Sequence, residues 1–331
     1  MNRRSFVQNV TASAAATALR ATAHGQGSLT KKVLEPIVIG SGRFRYEVVE
    51  GWGAPPAGMT YQMGCAVVVD SRDRVYVHSQ AQKAVLVFSR DGQLLSDWGA
   101  EYAGPNAHGL YWSKEGKDEF LYFSHLSNNI VKTDLNGVVL LRIGDVKDET
   151  PTSIRFKFNR PTDLAVAPNG DLYVCEGYGG NQVHVFNNQG KHLRTFGRTG
   201  TQHGEFRTPH GIWIDTRRGK EPEVYVADRA NARVEIFTLD GRYKRSVGDM
   251  RNPCCFYPFG DYLFVPDLAA RVSVLDFNDV PVTHLGDGRL EPNEVNFKTP
   301  HALTLDSRGD LYVVEWVTDA RLRKFHWRPQ P

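Results

Sequence analysis

Pro168-Asn169-Gly170-Asp171-Leu172-Tyr173-Val174 is a tight turn running into a strand that ends on Tyr-Val, and its pattern recurs along the chain. The same three-residue step appears as Val75-Tyr76-Val77, Leu121-Tyr122-Phe123, Val224-Tyr225-Val226, Leu263-Phe264-Val265 and Leu311-Tyr312-Val313, at intervals of about 40 to 50 residues. A second count is independent of the first. Trp52-Gly53, Trp98-Gly99, Ile143-Gly144, Phe196-Gly197, Val247-Gly248 and Leu285-Gly286 are six strand endings at similar intervals. β-branched and aromatic residues fill the segments between, and Gly/Asp turns such as Ser307-Arg308-Gly309-Asp310 join them. Four short strands repeated at this period predict an all-β, six-bladed β-propeller. No segment has a helical period.

The ends of the chain predict how the ring closes. The last unit lacks a fourth strand at the C-terminus. The run Phe44-Arg45-Tyr46-Glu47-Val48-Val49-Glu50 ahead of Trp52-Gly53 supplies one at the N-terminus. The N-terminal strand is therefore expected to complete the last blade and remove an exposed sheet edge. One domain spans residues 43–328.

Composition narrows the function classes. The chain has 331 residues, Lys+Arg 40 against Asp+Glu 37, and a formal charge of +3 spread along its length. No basic block argues for nucleic acid, and no run of 18 apolar residues argues for a membrane span. Four cysteines are too few for a disulfide scaffold. At the start, Asn2-Arg3-Arg4-Ser5-Phe6-Val7-Gln8 is followed by an Ala/Thr-rich stretch and the small-x-small site Ala21-Thr22-Ala23. This resembles a twin-arginine export signal over residues 1–26 and implies a periplasmic or secreted protein. A monomer is expected.

In a propeller the innermost strands run along the axis and their first residues crowd one mouth of the channel. Counting back five from each inner strand's closing Asp, or its equivalent, gives Cys65, His108, Thr162, His210, Cys254 and His301, one per blade. Histidine thus falls on alternate blades, a third of a turn apart. Three converging imidazoles predict a three-His site with an open position, the pattern of a catalytic zinc. The alternative is a set of channel histidines bonded to water and carbonyls. Cys65 and Cys254 have three readings: zinc ligands, a disulfide, or small residues packing a crowded axis. Loop residues His78 and His125 are further candidates for the mouth.

Two resemblances add to this reading. Gly197-Arg198-Thr199-Gly200 with Gly204-Glu205-Phe206-Arg207-Thr208-Pro209-His210-Gly211-Ile212 resembles an NHL repeat. The words Glu176-Gly177-Tyr178-Gly179-Gly180-Asn181-Gln182-Val183, Phe206-Arg207-Thr208-Pro209-His210 and Val226-Ala227-Asp228-Arg229-Ala230-Asn231-Ala232-Arg233 resemble peptidyl-α-hydroxyglycine α-amidating lyase. That resemblance implies Zn²⁺ on His108, His210 and His301, Tyr178 as catalytic base, and Arg229 as the cation that depresses its pKa. The reaction implied is cleavage of a carbinolamide to an amide and glyoxylate or a similar aldehyde, on a small or peptide-derived substrate. The departures are local. Gln80 stands where the family has Arg, Thr299 where it has Met, and Gly179 where it has a disulfide cysteine. Ala302 stands where it has the acidic residue of a calcium site. The competing readings are a different metal-dependent hydrolase or lactonase, and an NHL binding scaffold without catalysis.

Overall fold

The computed structural model describes residues 36–217, 219, 221–288, 297–318 and 321–331. The export signal read from residues 1–26 lies outside them. Six sheets make six blades. Inner strands Gly64–Val69, Ala107–Glu115, Asp163–Val166, Pro209–Asp215, Tyr257–Phe259 and Pro300–Leu305 open blades 1 to 6 in chain order. Among the described residues the only helical segments are three single 3₁₀ turns, and no helix is long and apolar enough to cross a membrane.

The recurring residues have local jobs. Asp70 and Asp306 end inner strands, and one carboxylate oxygen of each accepts two turn N–H groups, from Arg72 and Arg74 and from Arg308 and Asp310 respectively. The repeated tyrosines are almost fully buried between blades. Their hydroxyls still find acceptors: Tyr312 donates to Asp306 at 2.9 Å, Tyr225 to Asp279 at 2.8 Å and Tyr173 to the Leu239 carbonyl at 2.8 Å. The Tyr-Val signature therefore records a large apolar ring with a hydroxyl that can be satisfied at the blade edge.

Closure occurs as expected. Strand Tyr46–Val49 pairs antiparallel with Leu322–Trp327, placing Tyr46 opposite Trp327 and Val49 opposite Lys324. The sequence reading missed two additions. Val38–Ile39 pairs with Tyr46–Val49 as a fifth strand of blade 6, and Ser153–Arg155 adds a parallel fifth strand to blade 2. Both are too short to carry a periodicity.

Tyr46 is 1% exposed and packs with Ile39, Leu285 and Phe325 across this closure. Tyr46→Ala should therefore cost about 3–5 kcal/mol, the usual cost of deleting a buried aromatic ring. Denaturant unfolding that shows a loss below 1 kcal/mol would mean that the closing strand does not hold the ring.

Candidate functional site at the axial mouth

The mouth residues are set by irregularities in the inner strands. In blade 2, Ala107 pairs with His125 and Gly109 with Ser124, so His108 is an extra residue opposite none. His301 sits in the same way between Pro300 and Ala302, and Cys65 between Gly64 and Ala66. In blade 4 the register slips between Pro209 and Ile212, around His210. Each is a β-bulge, which bends the strand and re-aims the extra side chain, here toward the axis.

His108, His210 and His301 are buried, and one ring nitrogen from each lies within 4.8 Å of the others. Their Nδ1 atoms all face backbone carbonyls of the next blade: Thr162 O at 2.7 Å, Cys254 O at 2.9 Å and Cys65 O at 2.6 Å. A carbonyl only accepts, so each Nδ1 carries the proton and each Nε2 presents a lone pair. The Nε2 atoms of His108 and His210 stand 3.2 Å apart, and that of His301 is buried without a hydrogen-bond partner. Burial pushes all three imidazoles down, His301 to about 4, so protonation does not relieve the crowding of lone pairs. Neutral imidazoles with fixed tautomers and converging Nε2 atoms suit a divalent transition ion, and the Nδ1–H···O=C bonds are the usual outer support of such ligands.

Close approach of neighbouring blades permits these bonds. A Cβ on Gly109 would lie 2.8 Å from Thr162 O, and one on Gly211 would lie 2.1 Å from Cys254 O. The His-Gly steps at 108 and 210 are thus packing requirements. Side chains of the intervening blades continue the ring: Thr162 Oγ1 donates to Pro209 O at 2.9 Å and Cys65 Sγ to Ala107 O at 3.2 Å.

All four cysteines are free. Cys65 and Cys254 therefore form no disulfide, and burial raises both thiols, Cys254 to about 12. Of the three readings, packing is the one that fits, with an addition: their carbonyls orient His301 and His210.

A second ring surrounds the first. In five blades the N–H of the residue after the second strand donates to the carbonyl two positions before the mouth residue: Gln80 to Met63, Leu126 to Asn106, Arg229 to Thr208, Leu268 to Asn252 and Trp316 to Thr299, all at 2.8–3.1 Å, whereas in blade 3 the Glu176 N–H turns to Gln182 O at 2.9 Å. Gln80 and Arg229 thus hold equivalent places on the mouth wall, although the Gln80 amide turns to Pro105 O at 3.3 Å. Just before this ring, Glu176, Asp228, Asp267 and Glu315 accept the N–H of Asn159, Arg207, Arg251 and Lys298, each three residues ahead of its mouth position. Blades 1 and 2 have Ser79 and His125 in that register, and Pro105 offers no N–H to grip. This acidic repeat was visible in the sequence at a constant offset and was missed.

Tyr178 stands above the histidines. Its Oη lies 3.2 Å from His108 Nε2 and 3.1 Å from His210 Nε2, and Arg229 Nη2 donates to it at 3.3 Å. Two guanidinium groups flank the ring, Arg229 at 5.3 Å and Arg160 at 5.4 Å from its centroid. Trp316 lies over His301 at 5.0 Å. The sequence reading found neither Arg160 nor Trp316: Trp316 shares the wall position of Gln80 and Arg229, and Arg160 stands two before Thr162, but the residue type at both positions changes from blade to blade. It also misjudged the phenol. Burial dominates and raises the Tyr178 pKa, with Arg229 only opposing it.

The histidines proposed for loops lie elsewhere. His78 is inside strand Val75–Ser79, fully buried, edge-on to Phe123 and bonded through Nδ1 to Ala84 O at 3.0 Å. It is a packed residue and not part of the mouth. His125 ends strand Asp118–His125 and bonds Ser127 Oγ.

Comparison with known proteins agrees with this architecture. Residues 151–278 match the family DUF5128, described as a 6-bladed beta-propeller. Human NHL repeat-containing protein 3 is 26% identical over 290 residues, covering 82% of this chain and 81% of its own. Peptidyl-alpha-hydroxyglycine alpha-amidating lyase 1 of Drosophila melanogaster is 26% identical over 57% of this chain, which spans only 38% of that protein. Among solved structures, a catalytically inactive virginiamycin B lyase from Staphylococcus aureus with quinupristin superposes with a TM-score of 0.54 at 16% identity, covering 82% of both chains. At that identity the likeness concerns the fold.

Two outcomes follow from the mouth geometry. If the three imidazoles hold a divalent metal ion, His301→Ala should lose it, whereas Cys65→Ser and Cys254→Ser should keep it, since the carbonyls of these cysteines and not their thiols hold the histidines; elemental analysis of the purified variants decides. The buried histidines also set an acid limit. His78 and His301 are pushed down to about 4, and His108 and His210 well below normal. An unfolded histidine titrates near 6.5, so below that pH the unfolded chain binds more protons and stability falls as pH drops toward 4. A melting temperature that stays flat from pH 6.5 to 4 would contradict this.

Proposed function

We propose that this protein is an exported, metal-dependent lyase that cleaves a carbon–nitrogen bond in an α-hydroxyglycine-type amide. The observation that carries the reading is the convergence of three tautomer-locked Nε2 atoms with Tyr178 Oη, 3.1–3.2 Å from two of them. The matches to amidating lyases support it. A divalent cation on His108, His210 and His301 would supply Lewis-acid polarisation of a substrate oxygen and a further positive charge beside the phenol.

The chain's own groups do the rest. Arg229 and Arg160 favour the phenolate against the burial that raises it, and they make the mouth attractive to a substrate carboxylate. Tyr178 Oη takes the proton of the carbinol hydroxyl. The C–N bond breaks as the C=O bond forms, and the departing nitrogen takes up a proton, leaving an amide and an aldehyde such as glyoxylate. Trp316 walls the His301 side. The twin-arginine start is read as the export route, with a periplasmic or extracellular destination.

Tyr178→Phe should lower turnover of a peptidyl-α-hydroxyglycine by about 10²–10⁴-fold, the usual contribution of a general base, with zinc content unchanged. Parallel loss of zinc and activity would make the tyrosine structural. Gln80→Arg, which adds charge at the wall position equivalent to Arg229, should raise glyoxylate release; no response in zinc-loaded protein would mean a different substrate. The wider match to NHL repeat-containing protein 3 favours a second reading, a metal-binding propeller without lyase turnover. Zinc-loaded protein that releases no glyoxylate, and hydrolyses no ester or lactone, would select it.

A further inference from the structure

The axial channel behind the histidines is a chamber of a different character. Position by position, the residues that follow the mouth residues are Ala66, Gly109, Asp163, Gly211, Cys255 and Ala302. Five are small and uncharged. The sixth is a carboxylate that faces a channel cavity of about 200 Å³. Gly109 makes room for it, since a Cβ there would lie 3.0 Å from Asp163 Oδ1. Asp163 accepts a backbone N–H from Ile212 at 3.2 Å, and among the described residues no basic side chain pairs with it. Burial accordingly pushes its carboxyl up to about 7.

Two positions further along the strands an aromatic collar forms. Tyr111, Trp213 and Tyr257 line the same cavity, with centroids 5.7 Å apart for Tyr111 and Trp213 and 6.5 Å for Trp213 and Tyr257. All three residues are only partly buried, as is Asp163. The three imidazoles line the other end of the same cavity. The three imidazoles are buried, and the Nε2 atoms of His108 and His210 are 3.2 Å apart. The collar is the end of the chamber away from the imidazoles, and Tyr178 is not among the lining residues.

We infer that the chamber, which meets the three histidines on the side away from Tyr178, is a second binding site for a small organic ammonium ion with an apolar body. A carboxylate at the end of an apolar shaft restores its charge by pairing with a cation, and aromatic faces attract a cation while covering its hydrocarbon part. The cavity has room for roughly six to eight non-hydrogen atoms, taking about 30 Å³ per water-sized group. A larger ligand would leave its tail outside the collar.

The test is calorimetric titration of the zinc-loaded, full-length protein with benzylammonium chloride, benzyl alcohol and calcium chloride. Benzylammonium should bind, and benzyl alcohol at least about tenfold more weakly, the scale of one charge-assisted bond. Asp163→Asn should weaken benzylammonium by roughly tenfold or more while leaving zinc content and glyoxylate release unchanged. Trp213→Leu should act in the same direction and stands in if the first variant does not fold. Equal affinity for the ammonium and the alcohol, no effect of Asp163→Asn, or no binding at all overturns the inference. So does binding of calcium without benzylammonium, which would make Asp163 part of an inorganic ion site. Loss of lyase activity with these results intact would count against the proposed reaction and not against the chamber.

Discussion

The bond from each histidine Nδ1 to a carbonyl of the next blade is the constraint on which the mouth depends. It ties blade 2 to 3 through His108 and Thr162, blade 4 to 5 through His210 and Cys254, and blade 6 to 1 through His301 and Cys65. The last of these ties blade 6, in which the N-terminal and C-terminal strands pair, to blade 1. One interaction thus does two things. It holds neighbouring blades at the axis, and it fixes which ring nitrogen is left to face inward. The Nε2 atoms of His108 and His210 face each other and Tyr178 Oη, and that of His301 is buried without a partner, so three lone pairs are left pointing inward.

The bulges and the carboxylates give that constraint its precision. An inner strand in regular register would send alternate side chains to the two faces of its blade. The extra residue at His108 and His301 turns the imidazole toward the axis instead. The loop ahead of the bulge is then held by an acid at the end of the second strand, as Asp228 holds Arg207 N at 2.7 Å and Glu315 holds Lys298 N at 2.6 Å. These carboxylates have no contact with the Nε2 atoms. Their effect on the site is positional, and it repeats from blade to blade because the backbone problem repeats.

Charge divides the axis into two halves. On the Tyr178 side, Arg229 and Arg160 flank the phenol and face a cluster of neutral imidazoles, so that mouth favours anions. Behind the imidazoles the walls are apolar and aromatic around Asp163, so that side favours cations. The histidines separate the two environments over the length of one side chain. A propeller allows this because each blade contributes successive residues of one strand to successive tiers of the channel.

The sequence by itself determined the elements whose cause is local. The turn residues, the Tyr-Val strands and the Gly endings recur because each blade solves the same burial problem alone, so blade number and the closing strand around Tyr46–Val49 could be counted. The three histidines were legible for the same reason, as one position in a repeat. Only the tertiary structure decided what depends on distances between blades. It put Arg160 and Trp316 at the mouth, from repeat positions whose residue type changes from blade to blade. It removed His78, which lies in a strand and packs against Phe123 of the neighbouring blade. It turned Cys65 and Cys254 from candidate ligands into carbonyl acceptors, because their thiols are buried and a backbone group has no signature in a sequence. It also reversed the expected shift of Tyr178, since the cost of burying a phenolate is set by everything packed around it and outweighs the one arginine that the sequence had placed beside it.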